Sequence, residues 1–209
     1  MQRILIADDH TVVRLGIKQI LSIAFPLALI EDVTNAEDLL KKVTQEKWDV
    51  VISDISMPGR NGLEMIPEIR KVHPGLPVLI LSMYSEEHYG LRAIKAGASG
   101  YLMKEMAAGE LVIAVKKVLA GKKYISPVIA EKLASAIERN QEKSPYQNLS
   151  NRELQVFKMI ADGNGVSDIA SKLSIKLSTV STYRARIMEK MHLKSNADLI
   201  RYAFENKLL

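Results

Sequence analysis

Short runs rich in Val, Ile and Leu alternate with amphipathic stretches of helical period through the first 120 residues, and few architectures accept that order. The apolar runs are residues 4–7, 28–33, 50–52, 78–81 and 101–103. Most lack the polar alternation of a half-exposed strand, as expected of strands covered on both faces. The helical stretches between and after them are 12–24, 36–45, 63–72, 87–96 and 107–119. Five β/α repeats joined by right-handed crossovers predict an α/β fold with a doubly wound, parallel, five-stranded sheet. Turn chemistry agrees, with Pro58-Gly59, Asn61-Gly62, His73-Pro74-Gly75 and Lys95-Ala96-Gly97 all falling between elements.

The alternation stops near Gly121. Pro127 opens a helical stretch to about residue 139, with Ile129, Leu133, Ala136 and Ile137 on one face. Residues 140–148, NQEKSPYQN, are polar and aperiodic, the composition of a linker. The remaining 61 residues carry helical patterns and no strand signal. Ser150 and Glu153 form a capping box before one helix, Gly163 and Gly165 interrupt the chain, and a short helix is predicted over 167–173. A turn at 174–177 leads to a longer helix from Ser178 or Thr179, and a last helix covers 196–206. The expected organisation is a first domain over 1–121, a linker over 122–148 and an all-α four-helix domain over 149–209.

Composition narrows function by exclusion. With 47% hydrophobic and 25% charged residues, the chain is ordinary globular protein. It has no cysteine, which excludes a disulfide framework, a Cys-based zinc site and a thiol nucleophile. The first ten residues turn acidic after one short apolar run, unlike a signal peptide. The longest apolar stretch, 20–30, is interrupted by Ser22 and Pro26 and is too short to span a bilayer. A cytoplasmic protein with no membrane partner is expected. Its net charge of +5 is uneven: residues 1–120 carry −1 and residues 149–209 carry +4. Polyanion binding, if present, belongs to the C-terminal third.

The predicted strands end in chemically suggestive residues: Asp8-Asp9 after the first, Asp54 after the third, Ser82 after the fourth and Lys104 after the fifth. In a doubly wound sheet the carboxyl ends of the strands converge on one site. Three carboxylates in one place call for a hard divalent cation, and oxygen-only ligands favour Mg²⁺. A carboxylate beside that ion can act as a nucleophile toward phosphorus, with a hydroxyl and an ammonium holding the phosphoryl oxygens. Each residue alone has an ordinary explanation in a cap or a solvated side chain; it is their joint placement that points to a site. His10, His73, His88 and His192 show no metal-ligand spacing and are expected to be surface histidines.

ILIADDH (4–10), DVVISDISMPGRNGLE (49–64), PVLILSMY (77–84) and KAGASGYLMKE (95–105) resemble the receiver domain of two-component response regulators, a flavodoxin-like fold. The resemblance implies Asp54 as phosphoacceptor. It implies a Mg²⁺ held by Asp9 and Asp54 directly, by Asp8 mainly through water, and by the backbone carbonyl of Ser56. It further implies that Ser82 and Lys104 contact the phosphoryl group, and that Tyr101 is an aromatic switch turning inward on activation. Ser53 stands where the family often has an apolar residue.

A short helix, a tight turn and a longer helix form the geometry that places the second helix in a DNA major groove. LSNRELQVFKMIADG (149–163), DIASKL (168–173) and STVSTYRARIMEKM (178–191) resemble the LuxR-type helix-turn-helix, which the NarL/FixJ family joins to a receiver. At about 100° per residue, Val180, Tyr183, Ile187, Met188 and Met191 fall on an inner arc, and Ser178, Ser181, Thr182, Ala185, Arg186 and Glu189 on the outer one. The resemblance implies base-facing positions at Ser181, Thr182 and Ala185, with Ser178, Thr179 and Arg186 beside them. Many relatives carry Lys or Arg where this chain has Ser181 or Ala185, so modest affinity per domain and dependence on dimerisation are expected. Arg184 falls within the inner arc and is expected to snorkel or form an ion pair.

The resulting expectation is a phosphorylation-controlled transcription regulator whose partners are a sensor histidine kinase, double-stranded DNA and, once phosphorylated, a second copy. As an enzyme it would catalyse only its own phosphotransfer and dephosphorylation. Two alternatives stand beside it. One is an aspartyl-phosphate phosphatase using the same residues, which turnover of small phosphate esters would reveal. The other is a constitutive DNA-binding protein with a vestigial receiver, whose DNA affinity would ignore acyl-phosphate donors.

Overall fold

A computed structural model describes residues 1–58, 60–138, 144–206 and 208, and the side chains of 136–138 are outside that description. Gly59 of the predicted Pro58-Gly59 turn, the side chains of Ala136 and Ile137, the helix end at Arg139 and linker residues 140–143 therefore lie outside the described residues. The chain forms two compact units, Met1–Arg139 and Asn140–Leu209.

In the first unit, β1 (Arg3–Ala7), β2 (Leu29–Val33), β3 (Val50–Ser53), β4 (Val78–Ser82) and β5 (Gly100–Met103) form one sheet in the order β2-β1-β3-β4-β5. Every pairing is parallel. The helices α1 (Thr11–Ala24), α2 (Ala36–Gln45), α3 (Gly62–Val72), α4 (Glu86–Ala96) and α5 (Ala107–Leu119) connect and flank the strands. β3 and β4 are buried throughout, as continuous Val/Ile/Leu runs require. β2 differs: it is an edge strand, half-buried over most of its length, and its Glu31 and Asp32 pair with Lys42 and Lys18. Ser53 is buried, and its hydroxyl donates to the Asp54 carbonyl at 3.1 Å, so the polar substitution leaves no unsatisfied donor.

Past α5 the chain returns to the sheet: Tyr124 forms a parallel bridge beside Gly100 and donates its backbone N–H to the Ser99 carbonyl at 2.8 Å. The next helix, α6 (Pro127–Glu138), packs on α4 within the first unit. Ile129 is fully buried against Gly90, where a Cβ would lie 2.7 Å from the Ile129 methyl. The helix assigned to the linker from sequence thus shares a core with the sheet domain, because two glycines on α4 and β5 leave room for its anchors.

The second unit contains α7 (Asn151–Ala161), α8 (Val166–Lys172), α9 (Leu177–Met191) and α10 (Asn196–Glu205), preceded by a single 3₁₀ turn at Pro145–Asn148. The predicted capping box is present, with Ser150 and Glu153 each accepting the other's backbone N–H. Helix α9 begins at Leu177, just ahead of the predicted start at Ser178 or Thr179.

Candidate functional site

The sheet order reverses between β1 and β3, and the acidic residues emerge at the C-terminal ends of those two strands. The backbone N–H of Asp54 donates to the Ala7 carbonyl at 2.8 Å, placing Asp54 one step beyond the ladder beside Asp8. The chain then turns back so tightly that a Cβ at Gly62 would fall 1.9 Å from the Asp54 carbonyl oxygen. Only glycine lets α3 start there. Asn61, fully buried, caps that helix by accepting the N–H of Leu63 at 2.9 Å.

Asp8, Asp54 and Lys104 converge from three strand ends. The Lys104 ammonium lies 2.7 Å from Asp8 Oδ2 and 2.9 Å from Asp54 Oδ2, and all three side chains are buried. Asp54 Oδ1 accepts the backbone N–H of Ile55 at 2.7 Å. Burial pushes the Asp54 carboxyl above the ordinary carboxylate range; Lys104 pulls it back, and Asp8 adds to the rise. Burial alone would lower Lys104, but the charges of Asp54 and Asp8 outweigh it and hold the ammonium protonated.

Asp9 is more exposed and completes the cluster: Asp8, Asp9, His10 and Asp54 each offer a ligand atom within 4.8 Å of the others. If all three carboxylates ionise, they and the one ammonium carry two net negative charges, which a divalent cation would neutralise. The carboxylate oxygens fit a hard ion such as Mg²⁺. His10 is at the surface, as expected, but it also borders the acidic cluster. Its ring is largely exposed, yet Nδ1 lies 2.8 Å from Asp9 Oδ1 and 3.3 Å from Asp8 Oδ1. Its position directly after Asp8-Asp9 was the available signal.

Ser82 ends β4 and is buried, accepting the Tyr84 backbone N–H at 3.2 Å. Tyr101 is already turned inward, fully buried, with its hydroxyl donating to the Tyr84 carbonyl at 2.7 Å. Burial pushes its phenol well above the usual tyrosine range. Ser56 is half-buried, and its hydroxyl lies 3.2 Å from that of Tyr84, whose ring stacks on Tyr89 at 4.7 Å. The tyrosine layer over the acidic corner was not foreseen from sequence.

In the second unit, Val180, Ile187 and Met191 are buried, and Tyr183 and Met188 are half-buried. Ser178, Ser181, Thr182, Ala185 and Arg186 are exposed on the outer face, and Thr179 is half-buried. Ser178, Thr179, Thr182, Tyr183 and Arg186 line one shallow depression. The Ser181 and Thr182 hydroxyls donate to the carbonyls of Leu177 and Ser178, so each presents acceptor lone pairs outward. Arg184 is half-buried and donates to the Asn196 side chain at 2.8 Å, a neutral partner where an ion pair was one expectation.

Residues 4–116 match the response regulator receiver domain, and residues 147–203 match the bacterial regulatory proteins of the luxR family. The chain is a two-component response regulator of the NarL/FixJ family. It is 38% identical over 200 residues to response regulator GacA of Pseudomonas aeruginosa, covering 95% of this chain and 94% of that protein. It is 36% identical over 214 residues to the oxygen regulatory protein NreC of Staphylococcus carnosus, covering 99% of each. Among solved structures, the response regulator RcsB in complex with DNA aligns over 96% of both chains with TM-score 0.59 and 25% identity. A LuxR-family response regulator from Aurantimonas sp. SI85-9A1 covers 66% of this chain and 98% of its own at TM-score 0.59 and 31% identity. The chain is accordingly a DNA-binding regulator rather than a conventional enzyme. Among the described residues, no helix is long and apolar enough to cross a membrane.

Proposed function

We propose that this regulator is switched by phosphorylation of Asp54, with the phosphoryl group supplied by a sensor histidine kinase in the cytoplasm. The observation that carries this reading is the buried Lys104 ammonium seated between Asp8 and Asp54 at the topological switch point. An Asp54 carboxylate oxygen attacks phosphorus, the bond from phosphorus to the donor nitrogen breaks, and an acyl phosphate forms. Asp8, Asp9, Asp54 and the backbone carbonyl of Ser56 would hold Mg²⁺, which supplies charge neutralisation for the incoming oxygens. Lys104 turns from Asp54 toward the phosphoryl group, and the Ser82 hydroxyl donates to it. Ser82 and Tyr101 both bond the backbone of Tyr84, so Tyr101 follows when Ser82 moves and acts as the switch residue. The receiver's chemistry is limited to its own phosphotransfer and dephosphorylation.

Output is DNA binding through α9. Ser181, Thr182 and Ala185 face base edges, while Ser178 and Thr179 approach phosphates at the helix N-terminus and Arg186, farther along α9, reaches the phosphate backbone. Phosphorylation favours a homodimer, with α10 as the contact between DNA-binding units. Phe204 and Ile200 leave apolar surface exposed on that helix. Sedimentation with a phosphate analogue should show self-association or cooperative filling of paired half-sites; monomeric, non-cooperative binding in both states refutes the dimer.

Asp54→Asn preserves shape and removes the nucleophile. It should abolish Mg²⁺-dependent labelling by acetyl phosphate. Labelling at the wild-type level would assign the phosphoryl group elsewhere. Turnover of small phosphate esters by the wild type would favour the phosphatase alternative instead.

A further inference from the structure

The acidic corner depends on a residue that has no role in the switch just described. Asp8 lies beyond the end of β1, where its backbone carbonyl has left the strand ladder. Arg14, on the first turns of α1 and buried, donates from Nη1 to that carbonyl at 2.7 Å. The backbone N–H of the same residue donates to the His10 carbonyl at 3.1 Å. That bond is the first of the α1 ladder and belongs to the backbone, so the guanidinium itself holds this segment at one point, the Asp8 carbonyl immediately before Asp9. Its Nε donates to Asp32 Oδ2 at 3.0 Å, and Lys18 holds the other Asp32 oxygen at 2.6 Å, so the guanidinium plane is fixed from β2. The Asp8 N–H donates to the Val33 carbonyl at 3.2 Å, tying the remaining backbone group of Asp8 to β2 as well.

We infer that Arg14 is a positioning residue for divalent-cation binding: its guanidinium fixes the Asp8 carbonyl, and with it the peptide leading into Asp9, so that both carboxylates meet Asp54. The inference rests on the proposed metal site and adds a residue outside the ligand set. A planar guanidinium suits the task because its Nε and Nη1 donors are held at a fixed spacing and direction, so anchoring one on Asp32 aims the other at the Asp8 carbonyl, whereas a lysine ammonium is a single freely rotating centre. Partners that orient metal ligands typically contribute about 10–100-fold in affinity.

The test is Mn²⁺ binding to the full-length protein, measured as loss of the free-ion signal by electron paramagnetic resonance. Arg14→Met should weaken Mn²⁺ at least about tenfold. Asp32→Asn removes the ion pair but leaves the bond to the Asp8 carbonyl, and should weaken Mn²⁺ less than about threefold while lowering the unfolding midpoint. Arg14→Lys keeps a cation beside Asp32 without the fork, and should also weaken Mn²⁺ by more than Asp32→Asn does. It provides the comparison if Arg14→Met does not fold. In labelling by acetyl phosphate, the Arg14 variants should need more metal for half-maximal extent yet reach the wild-type plateau; a general structural defect would lower the plateau instead. Binding by Arg14→Met or Arg14→Lys within about threefold of wild type overturns the role, as does equal weakening by Asp32→Asn. If the wild type binds no Mn²⁺, the metal site itself is wrong, a result distinct from either.

Discussion

The acidic corner collects its groups from the ends of four strands and buries most of them, whereas α9 carries its six candidate contacts along one helix and leaves five exposed. The contrast teaches where function and stability are separable. A buried carboxylate must be answered by a counter-charge even when no ligand is bound, so the residues of the acidic corner also support the fold. An exposed serine or threonine on α9 has nothing to answer until DNA arrives. Changes in the corner should therefore disturb folding and switching together, and changes on α9 should alter binding alone.

Lys104→Met tests the first half of that contrast and should give the largest effect. It removes the ammonium between Asp8 and Asp54 and leaves two buried carboxylates facing each other. Breaking a buried pair in this way costs about 3–5 kcal/mol. The chain has a single tryptophan, Trp48, which is buried in the first unit, so its fluorescence in urea reports that unit's unfolding. In Mg²⁺-free buffer the midpoint should fall sharply, and Mg²⁺ should restore part of the loss by supplying positive charge. An unchanged midpoint would mean that the corner is no more coupled to the fold than α9 is.

The same contrast explains what the sequence made legible. β1, β3, β4 and β5 could be located because strands covered on both faces need continuous apolar runs, and Ile4, Val51 and Leu79 are indeed fully buried. Asp54, Ser82 and Lys104 could be singled out because a parallel sheet brings its strand ends together whatever their separation in sequence. The inner arc of α9 was legible from period alone at Val180, Ile187 and Met191. The missed features depend on contacts that no local pattern encodes. Arg14 meets the Asp8 carbonyl only after α1 packs against β1 and β2, and Tyr84 meets Ser56 across 28 residues of sequence. The seating of α6 was hidden for a related reason. Gly90 reads locally as a weak point in a helix, and becomes a seat only when Ile129 arrives.

Thr182→Ala and Arg186→Ala test the second half. Both side chains are exposed, so neither substitution should move stability by more than about 0.5 kcal/mol. Thr182→Ala should cost about 1–3 kcal/mol at the preferred DNA site and relax preference at one position, because it removes a methyl and an acceptor from the reading face. Arg186→Ala should weaken all sequences alike and reduce the salt slope by about 1. Titrations on specific and scrambled duplexes across salt separate the two. If Arg186→Ala changes preference while Thr182→Ala does not, reading and holding have been assigned to the wrong side chains.

The smallest effect belongs to the one place where the second unit resembles the first. Glu153 is a buried carboxylate in the capping box of α7, and it accepts from the Lys190 ammonium of α9 at 2.6 Å. Burial works to raise its pKa, but Lys190 and the Ser150 backbone N–H outweigh it, so the folded value lies below 4.5. A carboxyl depressed on folding stabilises the native state fully above its unfolded value, and that contribution is lost as pH falls through the folded one. Because Lys190 is half-exposed, solvent screening limits the contribution to about 1 kcal/mol or less. Glu153→Gln keeps an acceptor for the Ser150 N–H and removes the charge, so capping survives and the ion pair does not. The wild type should lose protection of the α7 amides as pH falls below about 4.5, followed by hydrogen exchange in the full chain, and Glu153→Gln should lose less over that fall. Equal losses in the two proteins would show that the Lys190 contact contributes nothing measurable, and that burying a carboxylate in this unit has a weaker hold on the fold than it does in the acidic corner.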